Sequence, residues 1–440
     1  MVVACKSTIR TFQTGVERFS AASFTNHRHW YMSVPVSIFR NRTDETNREP
    51  IMPRPAEFKD KPFKHTIFLK IAEAIQASAD SDEAPIALHV GDTWCDLPEE
   101  LLTPLPEEPW NERLSRYGNT RGETELRRRL AAKLREQNKL PVSSPDEVQI
   151  VFGATGGLYL AMQKLLEPGD EVIVLSPQWT IFRVVASTAR VRIVEAPFFH
   201  RIADEPDGNL AAWIEPFLSE RTRAIYFNNP NNPSGVMMLP EHIEQVASFA
   251  VEHDLWVFSD EAYEDFVWIN APYVSIGSLP GMYERTVSVF SFSKSYAAAG
   301  LRLGYVAAPP GVIAALNPGH VGVGYEPNRS SQVEGIRGLE RSAEVVGRLQ
   351  KLYREGRQAA LESIKVPHLP AEGSFYLFLD LRDRWKGLSD DQKLERMLSA
   401  GVICSPGAPF GEAYDGFARF CYTSEPPEKV AEAARRTADL

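Results

Sequence analysis

The sequence predicts an α/β protein: a three-layer α/β/α large domain with a mostly parallel sheet, plus a smaller α+β domain built from the N- and C-terminal parts. Aliphatic segments of strand length alternate with helical patterns between about residues 148 and 291, and this pattern changes near residue 340. Strands that are apolar at every position are typical of parallel sheets that helices cover on both faces. With 43% hydrophobic and 24% charged residues, the composition is that of a globular protein.

We expect four regions along the chain. Residues 1–60 lack periodicity and end in the Pro-rich, charged stretch NREPIMPRPAEFKDKP, which predicts an extended arm. Residues 61–90 are expected to form the N-terminal part of the small domain. Residues 91–340 are expected to form the large domain, and residues 341–440 the C-terminal part of the small domain.

The elements follow from hydrophobic periodicity. Leu126, Leu130 and Leu134 form one apolar stripe on the charged segment 121–138, which predicts an amphipathic helix. After residue 340 we expect a long charged helix, an aromatic strand in SFYLFLDL, a further helix and a closing strand in FARFCY. The other predicted helices are 63–79, 153–166, 210–219 and 241–252, and the predicted strands are 148–152, 171–175, 192–196, 224–227, 255–258 and 286–291.

Composition excludes several classes of function. The net charge of −10 gives no electrostatic reason to bind nucleic acid or an anionic membrane, and no apolar run approaches the ~20 residues of a membrane span. The four cysteines (Cys5, Cys95, Cys404 and Cys421) have no metal-ligand spacing and the nine histidines form no metal motif, so we expect no metal site. Reduced thiols predict a cytoplasmic protein. A Ser-, Thr- and Arg-rich start has a faint transit-peptide character, which an upstream start codon or a loose arm explains equally well.

Polar motifs follow the predicted strands, where open α/β sheets bind their ligands. They are PQW at 177–179, NNPNNPSG at 228–235, SDEAYEDF at 259–266 and SFSKSYAAAGLRLGY at 291–305. Taken singly, each is compatible with an ordinary turn, helix start or solvated lysine. Their order is more specific, because 28 residues separate Asn232 from Asp260, 34 separate Asp260 from Lys294, and 8 separate Lys294 from Arg302.

This series resembles the class I/II aminotransferases, fold type I enzymes that use pyridoxal 5′-phosphate. The resemblance runs from about Gly91 to Arg419, with Tyr263 and Ser291 falling within the same series. It implies transfer of an amino group from an L-amino acid to a 2-oxo acid, through a Schiff base between the cofactor and Lys294. Catalytic roles are implied for Lys294, Asp260 and Tyr263, because the cofactor needs an amine, a carboxylate facing its ring nitrogen and donors to its phenolate oxygen.

The resemblance also implies how the cofactor and the substrate are held. Tyr117 is implied to reach the phosphate of a neighbouring subunit, which makes a homodimer with shared active sites the expected unit. Ser176-Pro177 and Asn232-Pro233 are candidate cis bonds. The implied cofactor-binding residues are Lys294, Ala154, Thr155, Trp179, Asn232, Asp260, Tyr263, Ser291, Arg302 and Tyr117, and the implied substrate-binding residues are Gly91, Asn232 and Arg419.

Alternatives remain open at this stage. The same frame supports elimination, cyclisation, decarboxylation or oxidation of an amino acid, because loop residues decide the reaction. A cofactor-binding regulator is a rival from another class, against which stand the acidic chain and the absence of a helix-turn-helix pattern in the arm. Two segments, 91–98 and 320–332, have no clean counterpart in the family. Trp94, Thr180 and Tyr325 are candidates for the substrate pocket, but the sequence does not predict which amino acid is bound.

Overall fold

A computed structural model of the chain describes residues 66–78, 84–108 and 114–440. The whole arm predicted over residues 1–60 and the start of the next region lie outside these residues. Among the described helices, none combines the length and the apolar character that a membrane span requires. The four predicted region boundaries therefore stay predictions, while the fold class can be compared directly.

Seven strands form one large sheet in the order β2-β8-β7-β6-β5-β3-β4. β2, β7, β6, β5, β3 and β4 run parallel to one another, and β8 is antiparallel to its neighbours β2 and β7. The sheet is therefore mostly parallel, as predicted. Numbered after a two-residue strand β1 (Ile86–Ala87), its strands are β2 (Val148–Phe152), β3 (Glu171–Ser176), β4 (Arg192–Pro197), β5 (Thr222–Asn228), β6 (Trp256–Asp260), β7 (Thr286–Ser291) and β8 (Leu303–Ala307).

Helices cover both faces of this sheet. Val172 and Val174 of β3 pack into one buried cluster, whereas Ile173 and Leu175 pack into another on the opposite face. This alternation creates the three layers that the uniformly apolar strands predicted. The helices up to residue 340 are α1 (Thr66–Ser78), α2 (Glu99–Leu102), α3 (Thr124–Glu136), α4 (Gly153–Leu165), α5 (Ile181–Thr188), α6 (Phe199–Asp204), α7 (Leu210–Ile214), α8 (Pro240–Glu252), α9 (Phe292–Ser295), α10 (Pro310–Gly324) and α11 (Arg329–Glu340).

The smaller α+β part combines segments from the two ends of the described chain. β1 pairs in parallel with β10, so residues near 86 join those near 402. A second, antiparallel sheet has the order β11-β12-β9, and α1, α13 and α14 contribute to its apolar core. The elements are β9 (Tyr376–Asp380), β10 (Val402–Ile403), β11 (Ser405–Pro406) and β12 (Phe417–Cys421), with α12 (Ser342–Ser363), α13 (Asp390–Ala400) and α14 (Pro427–Arg436).

Most predicted elements have counterparts with slightly different ends. The stripe of Leu126, Leu130 and Leu134 is fully buried on α3, as the spacing predicted. The helix predicted over 210–219 is shorter, since α7 ends at Ile214 and a 3₁₀ turn with Pro216 follows. β8 and α10 are among the elements that the sequence did not predict.

Candidate active site

Lys294 lies just beyond the carboxyl end of β7. Ser291, the last residue of β7, accepts a hydrogen bond from the Ser293 amide at 3.1 Å and so caps the short helix α9 that carries the lysine. The Lys294 ammonium donates to the Gly91 carbonyl oxygen at 2.6 Å. Burial lowers the pKa of Lys294, against the opposing effect of Asp92. The amine is thereby biased towards the neutral form that a nucleophile or general base requires.

Asp260 is the last residue of β6, in the interior of the sheet between β5 and β7. Its carboxyl group is buried and accepts hydrogen bonds from the Ala262 amide and the Tyr226 hydroxyl, each at 3.2 Å. Burial raises its pKa to about 6. In the described part of the chain no lysine or arginine forms an ion pair with this carboxylate, so a cation placed against it would be strongly stabilised.

A chain of hydrogen bonds joins the two sheets at the site. Arg419 of β12 donates from Nη1 to Asn232 Oδ1 at 2.8 Å, and Asn232 Nδ2 donates to the Tyr263 hydroxyl at 3.2 Å. The Tyr263 hydroxyl is 2.6 Å from that of Tyr376, on β9. This series of hydrogen bonds therefore connects Asn232, Tyr263 and Arg419, three residues that were predicted for the site.

Arg419 is buried, and the described residues use only some of its N–H donors. Nη2 donates to the His89 carbonyl at 2.7 Å, and the guanidinium lies 4.7 Å and 5.0 Å from the ring centroids of Tyr376 and Phe410. Nε is buried and has no hydrogen-bond partner among the residues the structure describes. A buried positive charge is costly unless an anion pairs with it. The arrangement around Arg419 is therefore suited to binding a carboxylate ligand.

Gly91 is held against Tyr376. A Cβ atom at Gly91 would lie 2.3 Å from the Tyr376 hydroxyl, so a larger residue has no room there. The same glycine supplies the carbonyl that accepts from Lys294. Gly91 therefore lets the backbone approach both the lysine and the tyrosine, while its predicted role in substrate binding stays a prediction.

A second polar region surrounds the start of α4. This helix begins at Gly153 directly after β2, and no side chain caps its first amides. A Cβ atom at Gly153 would lie 2.7 Å from Arg302 Nη2, which places the guanidinium at the helix start. Ala154 and Thr155 occupy the first turn and are partly exposed. Uncapped amides at a helix N-terminus beside a guanidinium favour an anion such as phosphate.

Ser291 lies close to this helix start. It pairs with Gly304 across β7 and β8, and a Cβ atom at Gly304 would lie 2.8 Å from the Ala154 amide nitrogen. The sheet therefore brings Ser291, Ala154 and Arg302 close to one another, and their predicted role in binding a phosphate stays a prediction. The Ser291 hydroxyl is at the same time the cap of α9, so one side chain is positioned to serve both regions.

Trp179 follows β3 and is partly buried against the cluster that contains Phe182. Both predicted cis bonds, Ser176-Pro177 and Asn232-Pro233, are confirmed, and a third one at Asn229-Pro230 was missed. The loop is anchored to the smaller part of the molecule, because the Gln178 amide donates to the Phe410 carbonyl at 2.9 Å.

Tyr117 stands apart from this group within the single chain. Its side chain is 84% exposed, and its ring centroid lies 4.9 Å from that of Tyr325. The predicted role of Tyr117 concerns a neighbouring subunit, so the single chain leaves it a prediction. Of the candidates for the substrate pocket, Thr180 is buried, whereas Trp94 and Tyr325 are exposed.

Sequence reasoning missed two tyrosines that touch these residues. Tyr376 bonds Tyr263, packs on Arg419 and abuts Gly91, while Tyr226 bonds Asp260. Both sit inside buried strands, where a hydroxyl needs a partner. A tyrosine within an otherwise apolar strand was therefore the available signal, although it does not identify the partner.

The residues fit pyridoxal 5′-phosphate on three observations. Asp260 is a buried carboxylate that a protonated ring nitrogen would neutralise, and the uncapped start of α4 with Arg302 suits a phosphate. Arg419 keeps a buried Nε without a partner in the described chain, suited to the carboxylate of an amino acid. Lys294 supplies the amine between these regions.

Comparison with known proteins gives consistent results. Residues 85–436 match the family model for aminotransferase class I and II. The chain is 32% identical over 358 residues to the aspartate aminotransferase of Pyrococcus abyssi, covering 80% of this chain and 90% of that protein. It is 31% identical over 361 residues to aromatic-amino-acid aminotransferase 2 of Thermococcus litoralis, covering 80% and 91%.

Solved structures agree with this match. A double mutant of the Thermus thermophilus aspartate aminotransferase superposes with a TM-score of 0.76 at 29% identity, over 86% of this chain and 97% of that one. The aromatic aminotransferase of Pyrococcus horikoshii gives a TM-score of 0.73 at 31% identity, over 82% and 96%. The α/β fold is therefore shared with these enzymes.

Proposed function

The chain belongs to the class I and II aminotransferases, and from this premise we propose that it binds pyridoxal 5′-phosphate at Lys294 and transfers an amino group from an L-amino acid to a 2-oxo acid. The observation that carries the proposal is the position of Lys294, whose amine is partly buried 2.6 Å from the Gly91 carbonyl in a site shared with Asp260 and Arg419. Transamination is favoured over elimination, cyclisation, decarboxylation or oxidation, because the relatives named above are aminotransferases.

Each residue has a defined task in this proposal. When bound, the cofactor supplies an aldehyde that condenses with amines and a ring that withdraws electrons from the substrate Cα. Lys294 Nζ takes the proton from Cα and returns it as general base and acid. Asp260 would hold the proton on the ring nitrogen, and Asn232 and Tyr263 would bind the phenolate oxygen. Arg419 binds the α-carboxylate through its N–H groups.

The cofactor is held at its other end by the α4 start. Backbone amides of Ala154 and Thr155, the hydroxyl of Ser291 and the guanidinium of Arg302 bind the phosphate in this proposal. Trp179 packs on one face of the ring. Support comes from the uncapped first turn of α4 and from the proximity of Arg302 to Gly153.

The working unit in this proposal is a homodimer in the cytoplasm. Tyr117 reaches the phosphate of the partner subunit, which is consistent with its exposure in the single chain. Cys95, Cys404 and Cys421 are free thiols, as expected in a reducing compartment. The donor amino acid belongs to the broad class that the relatives use, and their names include aspartate and aromatic amino acids.

Borohydride trapping tests the proposal. Purified protein incubated with pyridoxal phosphate and then reduced should carry the cofactor covalently on Lys294, as identified by peptide mass spectrometry. Lys294→Ala should remove this label and lower the transamination rate by roughly 10⁴-fold, because it removes both the nucleophile and the proton carrier. The exposed Lys139 offers a matched control, since Lys139→Ala should keep the label and the rate.

A donor panel identifies the reaction and the substrate. Aspartate, aromatic and other amino acids should each be incubated with 2-oxoglutarate or pyruvate while the new amino acid and any oxygen uptake are recorded. The proposal expects a stoichiometric new amino acid without oxygen uptake. Labelling of a lysine other than Lys294, or products of elimination or oxidation alone, would contradict it.

A further inference from the structure

Tyr226 lies in the middle of β5 with its side chain fully buried. Its hydroxyl is 3.2 Å from Asp260 Oδ2 on the neighbouring strand β6. Burial, with the nearby carboxylate, raises the pKa of Tyr226, so the phenol remains protonated and acts as a donor. A buried tyrosine hydroxyl therefore points at the same carboxylate that faces the ring nitrogen in the proposed function.

Two other groups also stabilise the Asp260 carboxylate. Its second oxygen accepts from the Ala262 amide at 3.2 Å, and Asn228, whose Nδ2 donates to the Asp260 backbone oxygen at 2.9 Å, also lowers the pKa of the carboxyl group. The titratable groups that face it are Tyr226 from β5, Glu261 beside it on the chain and Tyr263 in the following turn. On the other side, β7 places Val289 against it.

The ring of Tyr226 is fixed by a second contact. Phe182 of α5 stacks on it with ring centroids 3.6 Å apart and an interplanar angle of 16°. α5 begins two residues after Trp179, the residue expected to pack on the cofactor ring. Tyr226 therefore connects the carboxylate at the ring nitrogen to the segment that carries the stacking tryptophan.

We infer that Tyr226 is a positioning residue for the cofactor, which keeps Asp260 ionised and oriented towards the ring nitrogen. This inference rests on the proposed function and adds a residue to it. A hydrogen bond from a neutral donor to a buried carboxylate favours the charged form over the neutral one. Without it, Asp260 is protonated at a higher pH, and its attraction for a protonated ring nitrogen weakens.

Tyr226→Phe is the direct test, because it removes one oxygen and keeps the ring that stacks on Phe182. The apoenzyme is titrated with pyridoxal phosphate between pH 5 and pH 9, and the dissociation constant is measured by fluorescence. A hydrogen bond to a charged group corresponds to a factor of about 10 or more in an equilibrium constant. The variant should therefore bind pyridoxal phosphate about tenfold more weakly at neutral pH. Its loss of affinity on acidification should begin about one pH unit higher than in the parent protein.

Tyr305→Phe is the matched control. Tyr305 is a buried tyrosine in the same sheet and also stacks on a phenylalanine, Phe290, with ring centroids 4.8 Å apart. It should leave the dissociation constant within about twofold of the parent value, since no hydrogen bond joins it to Asp260 in the described chain. An equal loss in both variants would assign the effect to the sheet and overturn the inference.

A double-mutant cycle separates positioning from general stability. With Asp260→Asn in place, Tyr226→Phe should change cofactor affinity less than twofold, because the charge that the hydroxyl stabilises is gone. A tenfold loss of cofactor affinity that persists in the Asp260→Asn background overturns the inference. An unchanged cofactor affinity in the Tyr226→Phe single variant also overturns it. A parent protein that fails to bind pyridoxal phosphate contradicts the proposed function itself, so the two failures are distinguishable.

Discussion

Arg419 shows how a single residue can link the parts of the site. Its guanidinium donates to Asn232, in the loop after β5, and to the His89 carbonyl, while Nε has no partner in the described structure. Arg419→Lys would keep the positive charge and remove the planar fork that binds a carboxylate through two N–H groups. We expect kcat/KM for the amino donor to fall about 100-fold, with cofactor affinity nearly unchanged. Steady-state kinetics and cofactor titration measure the two quantities separately.

Arg382 provides the control for this substitution. It forms a two-point pair with Asp380 and lies over the Phe417 ring, but its side chain is mostly exposed. Exposed pairs contribute little, so Arg382→Lys should leave both kcat/KM and cofactor affinity within twofold of the parent. An Arg419→Lys enzyme that retains full kcat/KM would refute the assignment of the carboxylate to Arg419.

At the scale of elements, α10 illustrates what the sequence did not predict. The helix Pro310–Gly324 contains Pro318 and four glycines besides, residues that ordinarily indicate a loop. It is nevertheless formed, because Ile313, Leu316 and His320 are fully buried on the layer that holds α4. Tertiary packing thus outweighs the low helix propensity of this segment.

We expect His320 of α10 to make the stability of the folded protein depend on pH. Its ring stacks on Phe152 at 5.1 Å, and neither ring nitrogen has a partner among the described residues. Burial lowers the pKa of His320 from 6.5 to about 4. Because the unfolded chain then binds a proton that the folded chain refuses, stability is complete above about pH 6.5 and falls as the pH drops towards 4, by roughly 3 kcal/mol at most.

His320→Leu removes this proton linkage. Urea unfolding followed between pH 4 and pH 7 should show a shallower loss of unfolding free energy for the variant than for the parent protein. The partly exposed His253, whose ring contacts that of a phenylalanine, Phe249, at a tilted angle, serves as the comparison. His253→Leu should keep the pH dependence of the parent, and a parallel decline in all three proteins would refute the role of His320.

For the molecule as a whole, the sequence predicted the three layers but not the direction of every strand in the sheet. β8 (Leu303–Ala307) is buried at every position, as the parallel strand β3 is, and a uniformly buried strand does not reveal which way it runs. The family match and the structural neighbours confirm the predicted fold class. The domain boundaries remain predictions.

The predicted site depended on residues that follow strands, and those could be identified from order and spacing. The contacts made by Tyr226 and Tyr376 could not, because they depend on the register of β5 against β6 and on the packing of β9 against the large sheet. Register is set by turns and by the burial of whole faces, which a motif does not encode. The sequence therefore predicted the functional groups better than it predicted the buried side chains that contact them.

An exposed pair of aromatic side chains bears on the assembly of the protein. Tyr117 is 84% exposed and its ring packs at a tilted angle against Tyr325, itself 42% exposed, which leaves an aromatic pair at the surface of the single chain. Exposed aromatic clusters are typical of protein–protein interfaces, and the proposed dimer places Tyr117 at the partner's phosphate. Light scattering should therefore give a mass of about twice the 49.3 kDa of one chain.

Tyr117→Asp should then weaken both the dimer and the binding of pyridoxal phosphate, because it places a negative charge at an apolar contact and beside a phosphate. We expect a shift towards the monomer mass at low micromolar protein and about a tenfold loss of cofactor affinity. Val251 on α8, an exposed apolar residue elsewhere, supplies the control, since Val251→Asp should change neither quantity. A parent protein that is monomeric and still binds the cofactor tightly would exclude a shared site, and the role of Tyr117 would then be confined to its own chain.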